Sequence, residues 1–221
     1  MDFDAVPDPA DLSAEELALL EMMLAEEGVE TAAAPTIPRR TNLEKTPLSF
    51  AQQRLWFLEQ LEPGSPLYHI PAAFRLRGVV DTAVLQQALN QIAQRHESLR
   101  TVFVSEDGTP YQKVLPEMEL PLHVLDLRQT ANNEQVAEKQ LFAETQRPFN
   151  LKLGPLFRTT VFQLAEDECI VLFMMHHIIS DGWSMGVLFG ELTAVYNANL
   201  HNETANLPEL QIGRASCRER V

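Results

Sequence analysis

Cysteine is almost missing: Cys169 and Cys217 are the only two in 221 residues. That is too few for a disulfide framework, and their spacing is no metal clamp of the C-x-x-C kind. A reducing compartment, the cytoplasm, is the expectation. Lysine and arginine are wholly missing from the first thirty residues, where ten carboxylates stand between Asp2 and Glu30. The formal charge of −14 is concentrated there, and the remainder of the chain carries a net −4. With no cluster of basic side chains, neither phosphate backbones nor anionic lipid surfaces find a counter-charge, so nucleic acid and membrane are excluded as expected partners. The acidic start is the reverse of a secretory signal, and no apolar run reaches the roughly 20 residues of a membrane-spanning helix.

What is present divides into four stretches. Residues 1–30 read as an acidic helical segment, its helix over 11–27 opened by the capping pair Ser13 and Glu16 and carrying Leu17, Leu20 and Leu24 at helical spacing. It is either a solvated helix or a docking helix for a basic partner segment. Residues 31–47 form a linker interrupted by Pro35, Pro38 and Pro47. The last ten residues, 212–221, hold three arginines and little to bury. They resemble a translated sequencing adapter rather than native chain, which would place the cut at Gln211.

Residues 48–211 have the texture of a folded lobe. Ser49 caps a helix through Leu61 that presents Leu55, Trp56, Leu58 and Leu61, and Pro63 and Gly64 stop it. A strand over 69–77, a helix over 81–95, strands over 100–105, 110–115 and 121–126, and a helix over 133–146 follow. Two apolar strands, 156–164 and 169–175, then flank the turn Ala165 to Glu168, and a helix over 183–199 closes the series. Mixed order of this kind implies an α/β fold, an α+β two-layer sandwich with helices packed on a mixed sheet.

The chemistry concentrates at the end of the second apolar strand. Ile170 to Met175 is an unbroken apolar run, the pattern of a strand covered on both faces, and it leads straight into His176 and His177. Successive strand residues point to opposite faces, so one imidazole can face a cleft while the other enters the packing. For the same reason the pair is a poor metal clamp, and no metal or directly bound cofactor is expected. Asp181 and Gly182 follow in the turn, and the helix opening near Trp183 brings unpaired N–H donors able to stabilise an oxyanion. Taken alone, a histidine above a buried strand also fits a packed, hydrogen-bonded residue.

Its context decides between them. His176-His177-Ile178-Ile179-Ser180-Asp181-Gly182 resembles the HHxxxDG motif of condensation domains of nonribosomal peptide synthetases. Its inner part, His177 with Asp181 and Gly182, is also similar to the motif of CoA-dependent acyltransferases. Leu48 to Leu58 resembles the family's first motif (S-x-A-Q-x-R-L-W-x-L), and Arg95-His96-Glu97-Ser98-Leu99-Arg100-Thr101 resembles its second (R-H-E-x-L-R-T). Pro148-Phe149-Asn150 through Leu156 looks like the segment before the active-site hairpin. The three motifs stand in family order.

The resemblance implies the N-terminal lobe of a chloramphenicol-acetyltransferase-like fold. It implies substrates delivered on the 4'-phosphopantetheine arms of an upstream donor and a downstream acceptor carrier protein, with the acceptor's α-amine attacking the donor thioester. An α-amine titrates at about 7.7 to 8.0 and an imidazole at about 6.5, so at neutral pH an imidazole is free to accept a proton or to orient the amine. His177 is the catalytic histidine in one of those two roles, with Gly182 offering a backbone N–H to the oxyanion. His176, Asp181, Arg95 and Arg100 are structural residues of the site, Arg95 being the expected ion-pair partner of Asp181 and Arg100 the alternative. Gln52, Arg54 and Trp56 are expected to stabilise the lobe, with Trp56 in the core. His69, His96, His123 and His201 are ordinary surface or packing residues.

The chain departs from the family by stopping after the helix that follows the motif. The second lobe and the adenylation domain are therefore expected in cis, and the fragment alone is expected to be inactive. The wording Ile178 to Ser184 resembles the subtype that joins two L-residues, and the start at Met1 suggests a donor arriving from a separate protein. A free-standing acyltransferase using CoA thioesters and a catalytically silent module that recruits carrier proteins are the competing functions.

Overall fold

A computed structural model describes residues 45–210. The acidic segment, most of the linker and the arginine-rich tail lie outside the described residues. In chain order the elements are β1 (Thr46–Pro47), α1 (Phe50–Leu61), β2 (His69–Arg77), α2 (Thr82–Arg95), β3 (Thr101–Glu106), β4 (Thr109–Val114), β5 (Leu122–Asp126), α3 (Asn133–Gln146), β6 (Phe157–Ala165), β7 (Glu168–His176) and α4 (Gly182–Leu200). All but the two-residue β1, which falls where the sequence predicts linker, match expected elements to within a residue or two.

Side-chain caps mark the starts of α1, α2 and α4, whereas α3 starts at Asn132 with no side-chain cap. Ser49 and Gln52 form the reciprocal capping box of α1, Oγ of Ser49 accepting from the Gln52 N–H and Oε1 of Gln52 accepting from the Ser49 N–H. Asp81 Oδ1 accepts from the N–H groups of Ala83 and Val84 to open α2. Such caps contribute about 1 kcal/mol each. Gly64, at φ +77°, takes the left-handed conformation that turns the chain after α1.

The strands form two sheets. β1-β4-β3 is a small antiparallel one, and β2-β7-β6-β5 is the mixed sheet of the lobe, with β7 antiparallel to both neighbours and β5 parallel to β6. α3 lies between β5 and β6 in the chain, as the crossover of a parallel pair requires. Side chains of β7 alternate strictly. Cys169, Val171, Phe173 and Met175 join Leu85, Leu89 and Ile92 of α2 and Leu188, Leu192 and Val195 of α4 in one core. Ile170, Leu172 and Met174 join Phe103, Ala137 of α3, Phe149, Leu151 and Leu164 in the other. The mixed sheet with helices packed on it is thus present, and helices cover both of its faces. That is why Ile170 to Met175 is continuously apolar.

α1 breaks the expected pattern. Leu55 and Trp56 are half-buried and pack against the second core, but Leu61 is 66% exposed, together with Phe57 and the 91% exposed Phe50. These three share one face of the helix by spacing, while Gln52 and Glu59 face inward with Leu55 and Trp56. Glu59 is occupied there, its Oε1 accepting from the Gly64 N–H at 2.9 Å. The inward face of α1 thus combines apolar packing by Leu55 and Trp56 with hydrogen bonds from Gln52 and Glu59.

Candidate active site

β7 ends at His176, paired with His69 on the edge strand β2. By the alternation of the strand, His176 falls on the face of Leu172 and Met174, and it is 1% exposed. Its Nδ1 accepts from the Ile178 N–H at 3.1 Å, which leaves the proton of the neutral ring on Nε2, a buried atom with no partner. The rings of His69 and Phe149 meet it edge-on, each with centroids 6.1 Å away. Burial, reinforced by the neighbouring His69 and His177, pushes its pKa down to about 4. Beneath it, the Arg158 guanidinium lies 4.0 Å from the Phe149 ring centroid and donates to the carbonyls of Glu144, Arg147 and Pro148. Burial lowers Arg158 to about 10.

His177 is the opposite case. It is exposed, and its backbone N–H donates to the Tyr68 carbonyl at 2.8 Å. Its Nδ1 lies 2.8 Å from the Ser180 carbonyl, an acceptor only, so Nδ1 carries the proton and Nε2 keeps its lone pair. The turn is held from within: the Ile179 N–H donates to the His176 carbonyl at 3.1 Å, and Ser180 Oγ approaches the same carbonyl at 3.4 Å. Ser180 is buried, so the group that fixes the His177 tautomer is itself fixed.

Asp181 is the N-cap of α4. Its Oδ1 accepts from the Ser184 N–H at 2.7 Å and from Ser184 Oγ at 2.6 Å. Those bonds, with the nearby His177 adding to them, hold its carboxyl below the usual range. Gly182 opens the helix. A Cβ there would meet nothing within 4 Å, and its N–H donates to no group among the described residues. The left-handed conformation that glycine would permit is not used.

The expected partner of Asp181 is elsewhere. Arg95 donates from Nε to Glu191 Oε2 at 2.9 Å and from a terminal nitrogen to Glu191 Oε1 at 3.3 Å, and also to the Pro208 carbonyl. His96 Nε2 joins the same carboxylate at 2.7 Å. The reason is distance along α4: Glu191 lies ten positions past Asp181, roughly 15 Å down the axis at about 1.5 Å per residue, and that stretch is where the end of α2 packs. Arg100 donates to the Leu115 carbonyl instead. Burial works to raise the Glu191 carboxyl, but the bonds from Arg95 and His96 outweigh it and hold the group below its usual range.

Glu191 lies outside every motif, although the sequence carries a signal for it. It is the single charged residue of α4 and sits beside Leu188, Leu192 and Val195 on the buried face, where a lone carboxylate demands a cation. Gln52 also does more than stabilise the lobe in general, for its Nε2 donates to the Ile178 carbonyl inside the histidine turn. His69 and His96 are packed and paired rather than idle, with His69 Nδ1 2.9 Å from the Thr145 carbonyl.

The sequence matches the family model described as Condensation domain over residues 42–212. It is 48% identical over 168 residues to one of the linear gramicidin synthase proteins of Brevibacillus parabrevis, covering 75% of this chain and 3% of that protein. It is 41% identical over 210 residues to phosphinothricin tripeptide synthetase PhsC of Streptomyces viridochromogenes, covering 92% and 19%. Among solved structures, a doubly substituted starter condensation domain of rhizomide synthetase, in complex with C8-CoA and Leu-SNAC, superposes with a TM-score of 0.70. The identity there is 29%, over 76% of this chain and 38% of that one. The chain spans a small part of the curated relatives and less than half of the solved domain.

Proposed function

The chain belongs to the condensation-domain family of nonribosomal peptide synthetases, and from that premise we propose that it supplies the histidine-bearing lobe of a domain that joins two carrier-bound thioesters through an amide bond. The observation that carries the reading is the state of His177: the Ser180 carbonyl holds the proton on Nδ1, and Nε2 is left as an acceptor on the exposed side of the turn.

In the reaction, the α-amine of the acceptor aminoacyl thioester attacks the donor's thioester carbonyl. A C–N bond forms and the C–S bond breaks. The amine proton passes toward His177 Nε2 and leaves with the departing thiolate, or Nε2 accepts a hydrogen bond from the neutral amine and aims its lone pair at the carbonyl. The carbonyl oxygen gains charge as the C–N bond forms, and the free Gly182 N–H at the start of α4, aided by the helix dipole, is the donor placed to receive it. Asp181 orders that helix start through Ser184, and His176 pins the turn from below. The thioesters arrive on 4'-phosphopantetheine arms of an upstream and a downstream carrier protein, with a second lobe as the opposite wall of the channel and an adenylation domain in cis. The wording Ile178 to Ser184 supports joining of two L-residues.

In the intact synthetase, His177→Ala should cut amide formation by about a hundredfold or more, the usual scale of a lost general base, with the unfolding midpoint unmoved. Unchanged turnover would end the reading. A second reading, a donor taken directly from a coenzyme A thioester, draws on the relative solved with C8-CoA. Equal rates from an acyl-CoA and from the matching acyl carrier protein would favour it.

A further inference from the structure

Gln52 is fully committed to the histidine turn. Its Nε2 donates to the Ile178 carbonyl at 3.2 Å and to Gln112 Oε1 at 3.2 Å, while its Oε1 accepts from the Ser49 N–H at 3.0 Å. Gln112 in turn donates to the Pro47 carbonyl at 3.0 Å. The amide orientation is not free to invert. The Ser49 N–H needs an acceptor and the Ile178 carbonyl needs a donor, and each is satisfied by the opposite end of the same amide. On α1 Gln52 faces inward beside Leu55 and Trp56, while Phe50, Phe57 and Leu61 on the other face are exposed.

The Ile178 carbonyl belongs to a buried residue and receives no other donor among the described residues. The N–H of the same peptide unit, that of Ile179, is held by the His176 carbonyl, so Gln52 supplies the second of two anchors; without it the plane tilts about the remaining bond to recover a partner, since an orphaned buried carbonyl is costly. That peptide leads directly to Ser180, whose carbonyl holds the His177 proton on Nδ1. We infer that Gln52 is a positioning residue for His177: it locks the Ile178 peptide plane, the plane locks the Ser180 carbonyl, and that carbonyl sets the tautomer and aim of the imidazole. The inference rests on His177 acting on the acceptor amine as proposed above.

The test uses the intact synthetase with carrier-bound donor and acceptor. Gln52→Leu should lower kcat for amide formation by about ten- to a hundredfold, the scale of a misplacement near 1 Å, with KM for either carrier within about twofold. Gln52→Glu keeps the shape but offers a carboxylate to two acceptors. Its kcat deficit relative to wild type should be large at pH 8 and narrow as the pH falls toward about 4.3, where a carboxyl regains a proton to donate. A residue that merely holds the lobe together would show neither the kcat-only loss in folded protein nor the pH-dependent ratio. Unimpaired kcat in Gln52→Leu, or loss of folding in the isosteric Gln52→Glu, would overturn the assignment. His177→Ala run alongside separates the failures: full activity there removes the functional reading, whereas an inactive His177→Ala beside a normal Gln52→Leu removes only the role of Gln52.

Discussion

The two imidazoles at the end of β7 are chain neighbours in different media. His176 lies 1% exposed between His69 and Phe149, accepts one bond and leaves Nε2 without a partner, and burial holds it neutral to about pH 4. His177 lies exposed with its proton anchored and its lone pair free. One ring is therefore shielded from protonation, while the other keeps an open acceptor. The strand's alternation buries the first ring, and the turn that follows, through the Ser180 carbonyl, sets the state of the second.

That contrast can be broken from either side. The largest effect belongs to the exposed ring, where His177→Ala should remove about 3 kcal/mol or more of transition-state stabilisation while leaving stability intact. Turnover measured against the urea midpoint checks both halves. Next comes the clamp behind α4. Glu191→Ala leaves Arg95 without its carboxylate in a half-buried site and should cost about 3 kcal/mol of stability, a loss seen in thermal unfolding. Glu191→Gln, which keeps an acceptor, should cost less.

The buried ring gives a pH signature. Because its folded pKa is depressed below the unfolded value near 6.5, the unfolded chain binds the proton first. The stability it contributes is complete above about pH 6.5 and is lost as the pH falls toward about 4. The full loss is up to about 3 kcal/mol, and His176→Gln should flatten the slope of unfolding free energy against pH in that window. The smallest effect is at the cap. Asp181→Ala should cost about 1 kcal/mol, and Asp181→Asn, still an acceptor for the Ser184 N–H, should restore most of it.

Most of the element order is legible in the sequence because periodicity and caps are local: Asp81, Pro63 with Gly64, and the turn Ala165 to Glu168 mark their own boundaries. The histidine turn is legible for the same reason, since the apolar run and the histidines that end it are contiguous. Partnerships across the fold are not. The motifs point Arg95 toward Asp181 and the fold gives it to Glu191, because the choice depends on where the end of α2 meets α4, which no spacing encodes. The rotation of α1 is hidden too. Of Leu55, Trp56, Leu58 and Leu61, expected to be presented together, Leu61 turns to solvent with Phe57 and Phe50, while Gln52 on the inward face bonds to residues far away in the chain.

Gln52 and the carbonyl it holds are 126 residues apart, and the edge strand β2 waits for a partner that is translated only after β3 to β6. On the ribosome the first motif would emerge well before its counterpart exists, leaving Gln52 without its Ile178 partner and β2 with an open hydrogen-bonding edge for several seconds at about 5 to 20 residues per second. Assembly of the histidine turn is thus a late step of biosynthesis, and stalling or truncating translation before Ile178 should yield a chain that captures chaperones rather than one that folds partway.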